Sequence, residues 1–325
     1  MRAIIPVAGF GSRLKPHTYS IPKVLMNVGG KPIIGHIIDK ILSENIDRAT
    51  FVIGHLGEMI RDYVLTTYPE LKAEFVEQKE MHGLGHAIYT AIPTIDEKEI
   101  FIILGDTIFD VNLTEVLRNK TSSLGVKTVE DPSRFGVAVC ENGKIVKLVE
   151  KPKTPVSRLA LVGLYYIADS GKLIESLNEL IRKDIRTKGE LQLTDALQLM
   201  IEAGETVTTF PVEGWYDCGK PETLLSTNQI MLEKEGTKHE IKSVVINHPV
   251  FIAPSAVVKN SVIGPYTTIS EGCTITDSIV RNSIIGTGAT VSRSILDHSL
   301  IGNSTIVKGN FRRLNAGDSS EIEFD

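Results

Sequence analysis

Gly9, Gly11, Arg13 and Lys23 fall in one short stretch that begins Val7-Ala8-Gly9-Phe10-Gly11-Ser12-Arg13-Leu14. Glycines after an apolar run let backbone amides approach a phosphate chain and form an anion-binding nest. Arg13 can make paired hydrogen bonds to phosphate oxygens, and Lys23 adds a compact point charge. The stretch is not a dinucleotide fingerprint, because Leu14 replaces the third glycine, and no Gly-Lys-Ser/Thr follows to make a P-loop. Taken alone, a surface turn with solvated cations explains it equally well. Gln78 precedes Gly83-Leu84-Gly85-His86-Ala87. A glutamine amide offers donor and acceptor together and so matches the edge of a pyrimidine base. His86, at the start of a helical segment, is read as bonding its own loop. Asp106 follows Gly105, and Asp217 lies within Trp215-Tyr216-Asp217-Cys218-Gly219. Magnesium at phosphate sites takes one or two carboxylates plus substrate oxygens and water. Read singly, each aspartate is better explained as a loop cap, and Asp110 competes with Asp106 but lacks a preceding glycine.

These residues need elements to carry them. Apolar runs at 3–7, 50–53, 73–78 and 99–104 read as strands, alternating with helical patterns at 31–43, 58–67 and 85–92. Pro32 is assigned to the first turn of the first helix. Such alternation predicts an α/β fold with a mostly parallel sheet covered by helices on both faces. After Leu124 the rhythm changes to short strands at 136–140, 144–149 and 159–167 without helices between them, followed by a helix over 191–203. A closing helix is expected over 221–233. Beyond it Ile252, Val257, Ile263, Ile269, Ile275, Val280, Ile285, Val291, Leu296, Ile301 and Val307 recur every five or six residues. That is a hexapeptide repeat, and it predicts a small left-handed parallel β-helix over 244–309, of three or four coils at ~18 residues each. The domain division is therefore 1–235, 244–309 and a tail at 310–325.

The formal net charge of −5 over 325 residues argues against a protein that grips nucleic acid. Cys140, Cys218 and Cys273 are too scattered for a disulfide framework or a zinc site. No apolar stretch approaches the ~20 residues that span a membrane. A cytoplasmic address is the expectation.

Gly9-x-Gly11-x-Arg13-x-x-Pro16-x-Thr18-x-x-x-Pro22-Lys23 resembles the signature of the sugar nucleotidylyltransferases. The nearest members are the glucose-1-phosphate thymidylyltransferases and UTP–glucose-1-phosphate uridylyltransferases. Five further motifs extend the resemblance over about residues 1–230, with Ser12 where the family usually has threonine. The resemblance implies a Rossmann-like, GT-A-like mixed sheet, a nucleoside triphosphate and a sugar 1-phosphate as partners, and Mg2+ as cofactor. It places Ala8, Gly9, Gly11, Ser12, Arg13, Gln78, Gly83 and Leu84 at the nucleotide, and Asp106 and Asp217 at the metal. Gly136, Glu150, Lys151, Leu161, Gly163, Tyr165 and Glu190 go to the sugar phosphate, and Arg13, Lys23 and Asp106 to catalysis.

The implied reaction is attack by a sugar-phosphate oxygen on the α-phosphorus, with pyrophosphate leaving in line. A phosphate monoester has its second pKa near ~6, so the nucleophile is already anionic and no general base is needed. What the reaction needs is relief of repulsion between polyanions. dTTP with glucose 1-phosphate is the favoured pair, with UTP as the alternative. A silent nucleotide-sugar-binding regulator is the non-enzyme reading. A second, acyl-transferring activity of the β-helix is disfavoured, because His298 is its only obvious candidate base. Assembly into a homo-oligomer is expected of the coils instead.

Overall fold

The apolar run after Met1 forms the strand Arg2–Pro6, around which a nine-stranded mixed sheet is built. The computed structural model describes residues 1–236, 240–309 and 315–323. By its contacts the chain forms two compact units, Met1–Gly9 with Ile37–Trp215 and Phe10–His36 with Tyr216–Asp325.

In the first unit the strand order is Lys72–Glu77, Arg48–Ile53, Arg2–Pro6, Ile100–Ile103, Leu159–Ile167, Ser123–Thr128, Thr208–Pro211, Lys144–Glu150 and Gly136–Glu141. The first four are parallel. Leu159–Ile167 runs against Ile100–Ile103 and Ser123–Thr128, with a bulge between Leu161 and Tyr165. Ile100–Ile103 is buried at every position, as a central strand covered on both faces must be. The helices Leu84–Thr90, Ser170–Arg182 and Leu193–Glu202 supply one cover. Their Ile88, Leu173, Leu177, Leu180, Leu197 and Met200 join Ile4, Val52 and Ile102 in one core cluster.

One expectation is corrected here and one gap is filled. The first helix starts at Ile33, because Lys31–Pro32 forms a short ladder with Asn27–Val28, so Pro32 ends a strand rather than opening a helix. The helix Ser170–Arg182 fills a stretch between the expected strand 159–167 and the expected helix 191–203 to which no element had been given. Its Asp169 cap accepts from the Gly171 amide at 3.0 Å, and Leu173, Leu177 and Leu180 mark its buried face.

In the second unit three parallel sheets of four, five and five strands form the β-helix, starting at Val244–Ile246. Ten of the eleven repeating aliphatics are buried inside the column, and the exception is Val257, which is 45% exposed while Val258 takes the inward place. The extended backbone at that step is out of phase by one residue, which turns the neighbouring side chain inward. The ladders do not stop at 309. Asn315–Ala316 pairs with Leu300–Ile301, and Glu321–Glu323 with Ile306–Lys308. Residues 310–314 and 324–325 of the expected tail lie outside the described residues.

The coils shorten along the stack. Ser278 N donates to Ser261 Oγ, Ser294 N to Ser278 Oγ, and Asn303 N to Asp318 Oδ1, across separations of 17, 16 and 15 residues. Among the described residues no helix is long and apolar enough to cross a membrane.

Candidate functional site

The cationic loop belongs to the second unit. Gly11 has φ 60°, and a Cβ there would lie 3.0 Å from both Lys23 Cβ and Thr18 Cγ2. Thr18 Oγ1 donates to the Gly11 carbonyl at 3.0 Å, so the loop closes on itself. Lys23 is drawn into the fold at 8% exposed. Ser12 and Arg13 stay at the surface on the turn Ser12–Leu14, anchored by buried Leu14. A Cβ on Gly219 would lie 2.7 Å from Arg13 Nη2 and 2.7 Å from Asp217 Oδ1. Arg13 and Asp217 therefore meet over a single glycine, and the Gly219 amide fixes the carboxylate by donating to Oδ1 at 2.8 Å.

In the first unit, Ala8 is buried and Gly9 has open space beside its Cα. Gln78 closes the strand Lys72–Glu77 and is 4% exposed. Its Nε2 donates to the Gly83 carbonyl at 3.2 Å and to His86 Nδ1 at 3.1 Å. Burial, and then the neighbouring His82, hold the His86 imidazole below its usual range, so it is neutral at pH 7. Gly83 has φ 112°, and a Cβ there would sit 2.7 Å from the Leu191 carbonyl oxygen, so only glycine fits. Leu84 is half-buried and opens the helix that follows.

Glu150 gathers the sugar-assigned residues. A Cβ on Gly136 would lie 2.9 Å from Glu150 Oε2 and 3.1 Å from Leu161 Cδ1. Thr194 Oγ1 donates to Glu150 Oε2 at 2.7 Å, and Lys151 Nζ lies 3.3 Å from Oε1. The Glu150 side chain is 8% exposed and that of Lys151 45%. Burial, with the Glu150 and Asp106 charges, pushes the Tyr165 hydroxyl well above its ordinary range. Gly163, at φ 84° in the bulge, would clash with Leu104 if it carried a Cβ.

Glu190 behaves differently from the other sugar-assigned residues. It is exposed, its Oε2 accepts from Gln192 Nε2 at 2.9 Å, and its Cβ lies 2.8 Å from the position of a Cβ on Gly83. It stands by the Gln78–Gly83 turn rather than by Glu150. Sequence reasoning gave no role of their own to Thr194, Asp195 and Trp215. Burial, with the Glu150 charge, holds the Asp195 carboxyl above its usual range, and its Oδ2 is buried without a hydrogen-bond partner among the described residues. The same is true of Trp215 Nε1, whose ring meets Phe135 edge-on at 5.0 Å. A Thr-Asp pair opening an amphipathic helix reads as a cap in sequence, so only the fold reveals these contacts.

The mixed sheet, on a chain with a glycine-lined loop that brings an arginine to a carboxylate, is similar to that of nucleotide-transferring proteins. The chain belongs to the nucleotidyl transferase family, whose model matches residues 2–234, and the GlmU-like C-terminal hexapeptide model matches residues 227–310. It is 38% identical over 263 residues to the bifunctional protein GlmU of Methanocaldococcus jannaschii, covering 79% of this chain and 61% of that one. It is 29% identical to a glucose-1-phosphate thymidylyltransferase of Streptomyces antibioticus, over 99% of both chains. A crystal structure of UDP-glucose pyrophosphorylase with UDP-glucose superposes with TM-score 0.63 at 25% identity, covering 72% of this chain and 99% of that one. The chain spans about three fifths of the length of the GlmU relatives it matches.

Proposed function

We propose that the chain condenses dTTP with glucose 1-phosphate, giving the sugar nucleotide and pyrophosphate. One observation carries the choice of base. The Gly83 carbonyl can only accept, so the NH2 of Gln78 must face it, and the second hydrogen of that NH2 goes to the lone pair of neutral His86. Gln78 is left with only its carbonyl oxygen to offer. That acceptor suits the ring N–H of thymine or uracil and opposes cytosine and adenine, which present ring acceptors. Full-length likeness to a thymidylyltransferase favours thymine. UTP is the second reading, supported by the likeness to UDP-glucose pyrophosphorylase, since one methyl is worth only about 1–3 kcal/mol.

Arg13 would neutralise the triphosphate as charge develops, and Lys23 and Lys151 the sugar phosphate. Glu150, held by Thr194, would accept from sugar hydroxyls, and Leu161, Gly163 and Tyr165 would line that ring. Asp106 and Asp217 offer oxygen donors only, which fits a hard divalent cation. No group of three or more His, Cys, Asp or Glu is clustered for a metal among the described residues, so magnesium would complete its shell with phosphate oxygens and water. When bound, it would offset the triphosphate's negative charge. The test is pyrophosphate release from ATP, CTP, GTP, UTP and dTTP against a set of sugar 1-phosphates with magnesium. Highest turnover with dTTP and glucose 1-phosphate is expected, and release only from CTP or ATP would overturn the assignment.

Self-association is proposed through the β-helix. Val245, Val262, Ile279 and Ile295 stack in register on the outer side of one sheet, and Val245, Ile279 and Ile295 are 59%, 39% and 43% exposed. A second copy of this chain would cover that ridge. Light scattering should give an oligomer that Ile279→Asp with Ile295→Asp converts to monomer. An unchanged mass would remove this face from assembly. Cys140, Cys218 and Cys273, present as thiols, fit a reducing compartment such as the cytoplasm.

A further inference from the structure

The cationic loop is fastened by the far end of the chain. Pro16 meets the last described coil, where a Cβ on Gly317 would lie 3.0 Å from Pro16 Cβ. His17 Nε2 bonds Asn315 Oδ1, and Ser20 Oγ donates to Asp318 Oδ2. Asn315 Oδ1 can only accept, so His17 is the donor, and the imidazole is 2% exposed. Asp318 uses both oxygens. While Oδ2 takes the loop hydroxyl, Oδ1 accepts from the Asn303 amide at 2.7 Å in the coil below. Asn303 in turn accepts from the Thr287 amide at 2.9 Å one coil further down. The turn ladder of the β-helix therefore runs without a break into the loop.

The chain just beyond the loop is held by the same column. Asn27 Nδ2 donates to Ser270 Oγ at 2.8 Å, and the Gly29 amide to Asn228 Oδ1 at 2.9 Å, an atom that also accepts from Thr268 Oγ1 at 2.6 Å. Arg13 lies three residues before the first of these tethers, Pro16, and makes its own close approach to Gly219. A loop fastened a few residues from its cation presents that cation in one direction, and a misplacement of ~1 Å can cost about a hundredfold in rate.

We propose that the last coil of the β-helix is a latch for the cationic loop, with Asn315 and Asp318 acting as positioning residues for Arg13. The β-helix is then part of the machinery of transfer and not only a platform for assembly. The rate consequence rests on the function proposed above, whereas the fastening itself does not.

The experiment uses the full-length chain and two readouts, steady-state pyrophosphate release and amide hydrogen exchange over residues 10–22. Asn315→Ala with Asp318→Ala should lower kcat at least about tenfold with the nucleotide KM within about twofold, and should speed exchange in that segment. Asp318→Asn keeps an acceptor at Oδ1 and a partner for Ser20, so it should restore both toward wild type. Ser20→Ala, which leaves the β-helix untouched, should shift both readouts in the same direction, and its effect should be lost when Asp318 is already alanine. Wild-type kcat and exchange in the double variant overturn the latch, as does a fall in kcat with exchange unchanged. Should wild-type protein release no pyrophosphate from any substrate pair, the proposed function fails, and the exchange measurement alone decides the latch.

Discussion

The Gln78–Gly83 turn and the cationic loop are supported in opposite ways. Gln78 bonds partners five and eight residues away, so that turn is closed by its own neighbours. The loop around Arg13 is closed by Asn315 and Asp318, each 298 residues from its partner, and by Asp217 and Gly219. A locally closed turn forms once the strand before it and the helix after it are in place. A loop closed from the distant end of the chain forms only after every intervening coil has stacked. Recognition of the base and activation of the phosphates should accordingly fail separately.

Arg13→Ala should give the largest break. Turnover is expected to fall about 10³-fold, while the nucleotide Kd measured by titration changes less than about tenfold. Wild-type turnover in that variant would remove Arg13 from the reaction. On the other side of the comparison, His86→Leu takes away the acceptor that fixes the Gln78 amide. Preference for dTTP over CTP, measured as a ratio of kcat/KM, should drop about tenfold, with kcat for dTTP nearly unchanged. A preserved ratio would show that His86 does not hold the reading group. The smallest effect is the acid response of the same contact. Protonation occupies the Nδ1 lone pair, and because the His86 pKa is lowered, that form appears only below the ordinary value of about 6.5. The nucleotide KM should stay flat from about pH 8 to 6.5 and rise below it in wild type but not in His86→Leu.

Much of this architecture could be read from the residues. The aliphatic repeat announced the β-helix, since a column needs one inward side chain per short strand, and the Gly9-x-Gly11-x-Arg13 stretch announced a closed glycine turn that carries a surface arginine. Where reading failed, the missing information was three-dimensional. Val257 and Val258 are adjacent and equally apolar, so nothing in composition says which turns inward. The Ser170–Arg182 helix was hidden because its exposed face is polar enough to pass for a connecting segment. Glu190 was assigned to the sugar phosphate by resemblance, yet the backbone carries it to Gly83. Asn315 and Asp318 carry no motif at all, and their role exists only because the coils bring them beside Pro16 and Ser20.

The height of the stack acts as a ruler. Each coil adds one strand spacing of about 4.8 Å, and two of the sheets carry four strands before the column reaches Asn315 and Asp318. Duplicating a middle coil or deleting one would leave the hydrophobic interior filled and every remaining ladder satisfied. It would also move the terminal turn by more than a hydrogen bond can span. The coil count of this chain is thus constrained by where its first twenty residues must be met, and a lineage that changes the count must find a new way to hold that loop.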